Sequence, residues 1–181
     1  MRWLGSIFKS ITGGRSMTAL ATGTRAPDFA LKTLDGKQFS LNEALTRGPV
    51  LLAFFKVSCP VCQYAFPYLE RLHNAYHQKG FSLVGVSQND AKETAAFNRE
   101  FGVTFPVLLD DLNKYPVSNA YGLTNVPTLF WIAEDGAIEI SSVGWMKADL
   151  EDINRRMAHA GKLAVSLLFK PGEQVADFRA G

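Results

Sequence analysis

Residues 50–63 read VLLAFFKVSCPVCQ, an apolar run followed directly by a Cys-Pro-Val-Cys motif. An apolar run of this length is typical of a central strand that is buried on both faces of a sheet. Pro60 suits the first turn of a helix because it lacks the N–H group that would have no partner there. This stretch therefore predicts a strand over 50–55 and a helix that begins beside Cys59.

Strand and helix patterns alternate on both sides of this motif. Ser40 with Glu43, and Asp90 with Glu93, have the spacing of capping boxes that open helices. In chain order, the predicted elements are a hairpin over 26–41, a short helix after Ser40, strand 50–55, helix 60–77 closed by Gly80, strand 81–87, a helix from Asp90 to Gly102, strand 105–109, an irregular or helical stretch over 113–121, strands 128–132 and 138–143, and helix 147–159. This alternation predicts one α/β domain, a three-layer sandwich with a mixed central sheet.

Composition excludes two broad classes of protein. The chain has 181 residues with 19 Lys and Arg against 17 Asp and Glu, which leaves a formal charge of +2. That charge is too small and too dispersed for a nucleic-acid-binding surface. The longest apolar run, residues 50–55, is far shorter than the about 20 residues that a transmembrane helix needs. We therefore expect a globular protein without nucleic-acid partners.

The two ends of the chain lie outside the predicted domain, which spans 17–162. Residues 163–181 form a tail that is predicted to be extended. In residues 1–16, the apolar side chains over 3–11 share one helical arc. This segment is an amphipathic helix that contacts a membrane surface or a partner, or a frayed extension, or a mis-called start with Met17 as the true initiator. It lacks the unbroken apolar stretch of a secretory signal, so we expect a cytoplasmic location.

Cys59 and Cys62 are the only cysteines of the chain, so both sulfurs belong to one local site. At the start of a helix, Cys59 would lie among unpaired backbone N–H groups, which favour the thiolate. We expect Cys59 to attack disulfides and to be a good leaving group. Cys62 lies one turn further along, on the inward side. We expect it to have the higher pKa and to attack the mixed disulfide at Cys59.

A zinc site is an alternative interpretation of this motif. His73 and His77 complete a Cys-x2-Cys-x10-His-x3-His pattern, which is close to the spacing of zinc fingers. If the segment is one helix, however, Cys62 and His73 lie about 16 Å apart along its axis, too far for a shared metal ion. We therefore expect no metal, and no cofactor beyond the cysteine pair itself.

Several motifs occur at separate places between residues 24 and 162. They are Ala26-Pro27-Asp28-Phe29, Cys59-Pro60-Val61-Cys62 with Pro67, Phe105-Pro106-Val107-Leu108-Leu109-Asp110, Tyr121-Gly122 and Val126-Pro127-Thr128. Together they resemble the thioredoxin superfamily, in particular its TlpA-like and AhpC/TSA-type thiol-disulfide oxidoreductases. The resemblance implies a thioredoxin-like sandwich with an N-terminal β-hairpin and an inserted strand–helix unit.

The resemblance also implies a substrate-binding groove beside the cysteines. In such proteins the proline that matches Pro127 is cis and faces the cysteine pair, and the backbone at Val126 pairs with the substrate chain. The residues implied to bind substrate are Val126, Pro127, Pro60 and Val61.

The chain departs from this family pattern around the cysteines. Ser58 stands where a tryptophan is usual, while Ala53 and Ala65 occupy two positions that often carry a carboxylate. A built-in proton acceptor for Cys62 is therefore not visible. The polar candidates for supporting roles, beside the motif or at predicted strand ends, are Lys56, Ser58, Gln88 and Glu134. Of these, Lys56 would favour a thiolate at Cys59 through its positive charge.

Three functions are compatible with these residues. The first is a thiol-disulfide oxidoreductase that acts on protein thiols and disulfides and receives electrons from an upstream donor. The second is a peroxiredoxin-like peroxidase, although the Pro-x-x-x-Thr-x-x-Cys signature would require Pro and Thr at Leu52 and Lys56. The third is a redox-inactive module of the same fold that binds a partner. The Cys-Pro-Val-Cys motif favours the first.

Overall fold

The computed structural model of the chain describes residues 18–181, so the predicted extension over residues 1–16 lies outside the described residues. No helix between residues 18 and 181 has the length and apolar character needed to span a bilayer. In chain order the elements are β1 (Ala30–Lys32), β2 (Gln38–Ser40), α1 (Leu41–Leu45), β3 (Val50–Phe55), α2 (Pro60–Tyr76), β4 (Ser82–Ser87), α3 (Ala91–Phe101), β5 (Val107–Leu109), α4 (Pro116–Ala120), β6 (Thr128–Ile132), β7 (Ile138–Val143), β8 (Trp145–Met146), α5 (Lys147–Gly161) and β9 (Phe178–Arg179).

β3 is the centre of a five-stranded sheet with the strand order β5-β4-β3-β6-β7. It runs parallel to β4, with Leu52 opposite Val84, and antiparallel to β6, with Leu52 opposite Phe130. All of its residues are buried, because it has a neighbouring strand on each side and apolar layers on both faces. The predicted mixed sheet and its buried central strand are confirmed.

Two apolar cores lie on the two faces of this sheet. Alternate residues of β3 divide between them, with Leu51 in one core and Leu52 in the other. The larger core contains side chains of α2, α3 and α5, and its aromatic centre is Phe55, Phe66 and Phe97. α1, α4 and the β1–β2 hairpin cover the other face. The predicted three-layer sandwich with an N-terminal hairpin is thus confirmed.

Helix α2 begins after the first cysteine and ends earlier than the sequence indicated. Its N-cap is Cys59, and its C-cap is His77, which has a left-handed φ of 49°. The prediction that Gly80 closes this helix is wrong. Gly80, with φ of 72°, instead lies against the end of α5, where an added Cβ would come 2.2 Å from the Ala160 carbonyl oxygen.

The tail over residues 163–181 packs along α2 and then pairs with β8 in a separate two-stranded sheet. Leu168 is part of the larger core, with 4% of its surface exposed. At the end of the tail, β9 pairs with β8 in antiparallel fashion, and Arg179 lies opposite Trp145. The sequence patterns predict neither of these two short strands.

Candidate active site

The cysteine pair lies at the N-terminus of α2, at the edge of the sheet where β3 ends. Cys59 is the N-cap residue, and its Sγ accepts a hydrogen bond of 3.3 Å from the Cys62 backbone N–H. A sulfur in this position lies among unpaired backbone N–H groups, which stabilise negative charge. Cys59 is partly exposed, whereas Cys62 is completely buried. The pair therefore consists of one partly exposed cysteine and one that is enclosed in the protein.

Burial determines the ionisation of Cys62. It raises the pKa of the Cys62 thiol far above its ordinary value; the backbone at Lys56 partly offsets this rise, and the Cys59 side chain adds to it. Ala53 and Ala65 are buried in the same core as Cys62, and neither side chain carries a group that could accept its proton. The expectation that Cys62 has a raised pKa is confirmed.

The loop between α4 and β6 completes the site. The Val126–Pro127 peptide bond is cis, as the family resemblance implies. The Cys59 thiol donates a hydrogen bond of 3.2 Å to the Val126 carbonyl oxygen. Thr128, the first residue of β6, fixes this loop to the sheet, because its hydroxyl donates to the Asn125 carbonyl oxygen at 2.8 Å. The structure thus places the Val126 backbone directly beside the Cys59 sulfur.

Two amide side chains fix the loop that leads into Cys59. The Gln63 side-chain N–H donates to the Val57 carbonyl oxygen at 2.9 Å, and the Asn89 Oδ1 accepts from the Val57 N–H at 3.0 Å. Asn89 is itself held in place, because its side-chain N–H donates to the Glu93 carboxylate at 2.9 Å. Sequence analysis missed this role of Asn89, whose one available signal is its position just after the strand that follows α2.

The residues next to the cysteines form an accessible rim. Ser58 and Pro60 are exposed, and Val61 is half-buried. Lys56 is also exposed, and its carbonyl oxygen accepts a hydrogen bond of 3.1 Å from the Cys59 backbone N–H. The charge of the Lys56 side chain lies in solvent, where its effect on Cys59 is screened. The contact of Lys56 with the motif is therefore made by its backbone.

The other polar candidates, Gln88 and Glu134, lie at different edges of the sheet. The Gln88 side chain donates at 3.0 Å to the hydroxyl of Ser118 on α4, which covers the face of the sheet opposite α2. Glu134 follows β6, whereas Pro127 immediately precedes that strand, so the two lie at its opposite ends. The expectation of a supporting role beside the cysteines is therefore wrong for Glu134. Gln88 follows β4 at the edge where β3 ends, and its backbone N–H donates at 3.1 Å to the Phe55 carbonyl oxygen, so its supporting role stays a prediction. The sequence showed them at strand ends but did not show which edge or face each would reach.

Tyr64, in the first turns of α2, links the site to the C-terminal tail. Its hydroxyl accepts a hydrogen bond of 3.1 Å from the Ala176 N–H, and its ring packs edge-on against Trp145 with centroids 4.9 Å apart. The Arg179 guanidinium lies 3.8 Å from the centroid of the same ring. Sequence analysis missed these contacts, since the partners are far apart in the chain and leave no local pattern.

The histidines of α2 do not join the cysteines in a metal site. Between residues 18 and 181, no group of three or more His, Cys, Asp or Glu side chains is arranged to hold a metal ion. α2 is one continuous helix from Cys62 to His73, which separates these two residues along its axis. His73 packs against the ring of Phe105, and burial lowers its pKa. The zinc-finger-like spacing is therefore a coincidence of two features on one helix.

Comparison with known proteins agrees with this geometry. The sequence model of the AhpC/TSA family matches residues 22–141. The chain belongs to the AhpC/TSA family. Among its relatives, the thiol-disulfide oxidoreductase ResA of Geobacillus thermodenitrificans (strain NG80-2) is 33% identical over 141 residues, which cover 77% of this chain and 78% of that protein. The thioredoxin-like protein YneN of Bacillus subtilis (strain 168) is 33% identical over 145 residues, which cover 77% of this chain and 82% of that protein.

Solved structures of family relatives share the fold. The thioredoxin domain of a thiol-disulfide oxidoreductase from Bacteroides vulgatus has a TM-score of 0.67 at 26% identity, and the match covers 76% of this chain and 98% of that one. A thiol:disulfide interchange protein of the thioredoxin family from Chlorobium tepidum TLS has a TM-score of 0.64 at 26% identity, covering 78% and 99%. This AhpC/TSA family member is therefore a TlpA-like thiol-disulfide oxidoreductase with a thioredoxin-like fold.

Proposed function

We propose that the chain exchanges disulfides with protein substrates through Cys59 and Cys62, by way of a mixed disulfide at Cys59. One observation carries the proposal: Cys59 is partly exposed and its Sγ lies 3.2 Å from the Val126 carbonyl oxygen, whereas Cys62 is completely buried. An extended substrate chain that pairs with the Val126 backbone would bring its own sulfur next to Cys59. The substrate class is therefore a polypeptide disulfide or dithiol.

Reduction of a substrate disulfide takes two exchange steps. The Cys59 thiol loses its proton and attacks one substrate sulfur, which forms the mixed disulfide and releases the other substrate sulfur as a thiolate. Cys62 then loses its proton and attacks the Cys59 Sγ, which forms the Cys59–Cys62 disulfide and releases the second substrate thiolate. The two protons end on the two substrate sulfurs, and two electrons pass from the cysteine pair to the substrate.

The helix N-terminus and burial give the two cysteines different tasks. The Cys62 backbone N–H donates to the Cys59 Sγ, and this contact stabilises negative charge on Cys59 both when it attacks and when it leaves. The raised pKa of Cys62 keeps that thiol protonated, and so unreactive, until a partner is joined to Cys59. The order of the two steps follows from this difference.

A second partner must restore the starting state of the cysteine pair, and we propose an upstream protein dithiol as the electron donor. The same two steps in reverse reduce the Cys59–Cys62 disulfide. The reduction potential of the pair decides the direction. A value near or below about −250 mV supports a reductant, and a value above about −180 mV supports an oxidant or isomerase.

Trapping of the mixed disulfide tests the proposal. In a Cys62→Ser variant the second step is blocked, so an adduct between Cys59 and a protein disulfide such as insulin should accumulate and appear as a mass shift without reductant. The matched Cys59→Ser variant retains only the buried Cys62 and should form no adduct. No adduct with Cys62→Ser, or equal trapping by both variants, would refute the proposal.

A further inference from the structure

Residues 178–181, here called the terminal segment, lie near the cysteine pair. They contact the backbone of residues 144–146 and of Val126, here called the strip. Within the segment, β9 pairs with β8, so that Arg179 lies opposite Trp145. The segment also covers Gly144, where an added Cβ would come 2.5 Å from the Arg179 carbonyl oxygen. Gly144 in turn donates a hydrogen bond of 2.7 Å to the Pro127 carbonyl oxygen. Gly144 therefore lies between the terminal segment and the loop that contains Pro127.

The end of the terminal segment reaches the Val126 backbone itself. The Asn125 side-chain N–H donates at 2.9 Å to the Gly181 carbonyl oxygen. An added Cβ on Gly181 would come 2.7 Å from the Val126 carbonyl oxygen, which is the atom that accepts the hydrogen bond from Cys59. The place where a substrate chain would pair with Val126 is therefore bordered by the protein's own chain.

The terminal segment is held differently from the tail that precedes it. The earlier part is anchored on α2 and β8: the Trp145 indole donates to the Ala176 carbonyl oxygen at 2.6 Å, and Arg71 donates to the Glu173 carboxylate through two bonds of 2.8 Å. All four residues over 178–181 are exposed, and none belongs to either apolar core. The terminal segment is therefore attached by backbone pairing and surface contacts, and not by core side chains.

We propose that the terminal segment competes with protein substrates for this strip and has to leave before a substrate chain pairs with Val126. This inference rests on the proposed function, because it names what borders the place where a substrate chain would pair with Val126. Gly181 lies against the Val126 carbonyl oxygen, so a substrate chain that approached Val126 from this side would collide with the terminal segment. The apparent affinity for a protein substrate then scales with the fraction of molecules in which the strip is free. A small disulfide needs only the Cys59 sulfur and is not subject to this competition.

Two variants release the terminal segment to different extents. Deletion of residues 178–181 removes it without removing a core side chain. Arg179→Ala keeps the full backbone and removes the Arg179 side chain beyond Cβ, including the guanidinium group over the Tyr64 ring. The matched control is Arg47→Ala, because the Arg47 side chain is 61% exposed and lies before β3, at the sheet edge opposite the cysteines.

Rates of disulfide exchange by the reduced protein, measured with a protein disulfide and with a small one, distinguish competition by the terminal segment from a change in the reactivity of Cys59. With insulin, we expect the deletion to raise the second-order rate constant about five-fold or more, and Arg179→Ala to raise it by a smaller factor. With oxidised glutathione, we expect every variant to stay within about two-fold of the unaltered chain. Arg47→Ala should match the unaltered chain with both disulfides.

Three results would overturn the inference: an unchanged rate with insulin in the deletion variant, a slower one, or an equal gain with insulin and glutathione. If the unaltered chain reacts with neither disulfide, the proposed function itself fails, which is a different outcome. Hydrogen exchange gives a second readout on the full chain. In the Cys62→Ser variant, the amide hydrogens of residues 178–181 should exchange faster when Cys59 is joined to a peptide in a mixed disulfide than when it is free. Equal rates of hydrogen exchange in the two states would contradict displacement of the segment.

Discussion

The side-chain oxygen of Asn89 accepts a hydrogen bond of 3.0 Å from the backbone N–H of Val57. This contact joins the end of β4 to the loop that leads from β3 into the cysteine pair. Gln63, on α2, holds the Val57 carbonyl oxygen at 2.9 Å. The position of Cys59 therefore depends on two amide side chains that come from different elements.

Replacement of Asn89 tests this contact. In Asn89→Ala the partly buried Val57 N–H loses its acceptor, and we expect the free energy of unfolding to fall by about 1–2 kcal/mol. Because the loop before Cys59 is then less well positioned, the rate constant for attack on oxidised glutathione should fall by about two- to ten-fold. Urea denaturation and stopped-flow mixing measure the two effects.

The matched control for this variant is Glu93→Gln. It changes the group that accepts from the Asn89 side-chain N–H but leaves the contact with Val57 in place. Its rate constant should equal that of the unaltered chain. If Asn89→Ala loses stability but keeps its full rate, the contact supports the fold and does not position Cys59.

Alkylation should distinguish the two cysteines. Cys59 is partly exposed, whereas Cys62 is completely buried and burial raises its pKa. A thiol with a raised pKa stays protonated, and so unreactive, at a pH where an ordinary cysteine ionises. From about pH 7 to 9, iodoacetamide should modify Cys59 at least about ten-fold faster than Cys62 in the reduced native protein.

Mass spectrometry of proteolytic fragments measures this ratio. The control is the same protein unfolded in urea, where burial is lost and both cysteines should react at similar rates. Equal labelling of Cys59 and Cys62 in the native protein would contradict the argument from burial.

Local contacts explain why most of the fold could be predicted from the sequence. The Ser40 hydroxyl caps α1 by accepting from the Glu43 N–H, and the Asp90 carboxylate caps α3 in the same way at Glu93. Both contacts span three residues, so they leave a signature in the sequence. The cysteine pair was predictable for the same reason, because its strand, turn and helix are contiguous in the chain.

Contacts between distant residues account for what the sequence did not reveal. Tyr64 and Ala176 are 112 residues apart, and no periodic pattern connects them. Gln88 and Glu134 both lie at strand ends, but their positions depend on the face that each side chain reaches and on the direction of each strand. The sequence pattern gives neither of these before the sheet is assembled.

The ion pair between Arg71 and Glu173 should make the anchoring of the tail depend on pH. Hydrogen bonds from Arg71 lower the pKa of the Glu173 carboxyl from an ordinary value of 4.5 to about 2. A carboxyl whose pKa is lowered by folding stabilises the fold above its ordinary pKa, and this contribution is lost as the pH falls towards the folded value. The stabilisation is thus fully present at neutral pH and declines between about pH 4.5 and 2.

Glu173→Gln removes this contribution. Because both side chains are partly exposed, at 34% for Arg71 and 23% for Glu173, we expect a modest loss of about 2 to 4 °C in Tm at pH 7. The difference from the unaltered chain should narrow at about pH 3. The control is Glu100→Gln, at an exposed position on α3, whose Tm difference from the unaltered chain should not narrow in this way. A difference that is constant from neutral to acid pH would mean that packing, and not charge, is lost in Glu173→Gln.

Gly80 and Gly102 have similar positive φ angles, 72° and 66°, but different surroundings. An added Cβ at Gly80 would come 2.2 Å from the Ala160 carbonyl oxygen, whereas nothing lies within 4 Å of one at Gly102. Gly102→Ala should therefore cost about 1 kcal/mol, the penalty for a side chain at a left-handed φ. Gly80→Ala should cost about 3 kcal/mol or more, because α5 must also move away. Urea denaturation of both variants isolates the steric contribution. Equal losses would mean that the end of α5 shifts without cost, and that close packing against Ala160 is not the reason for glycine at this position.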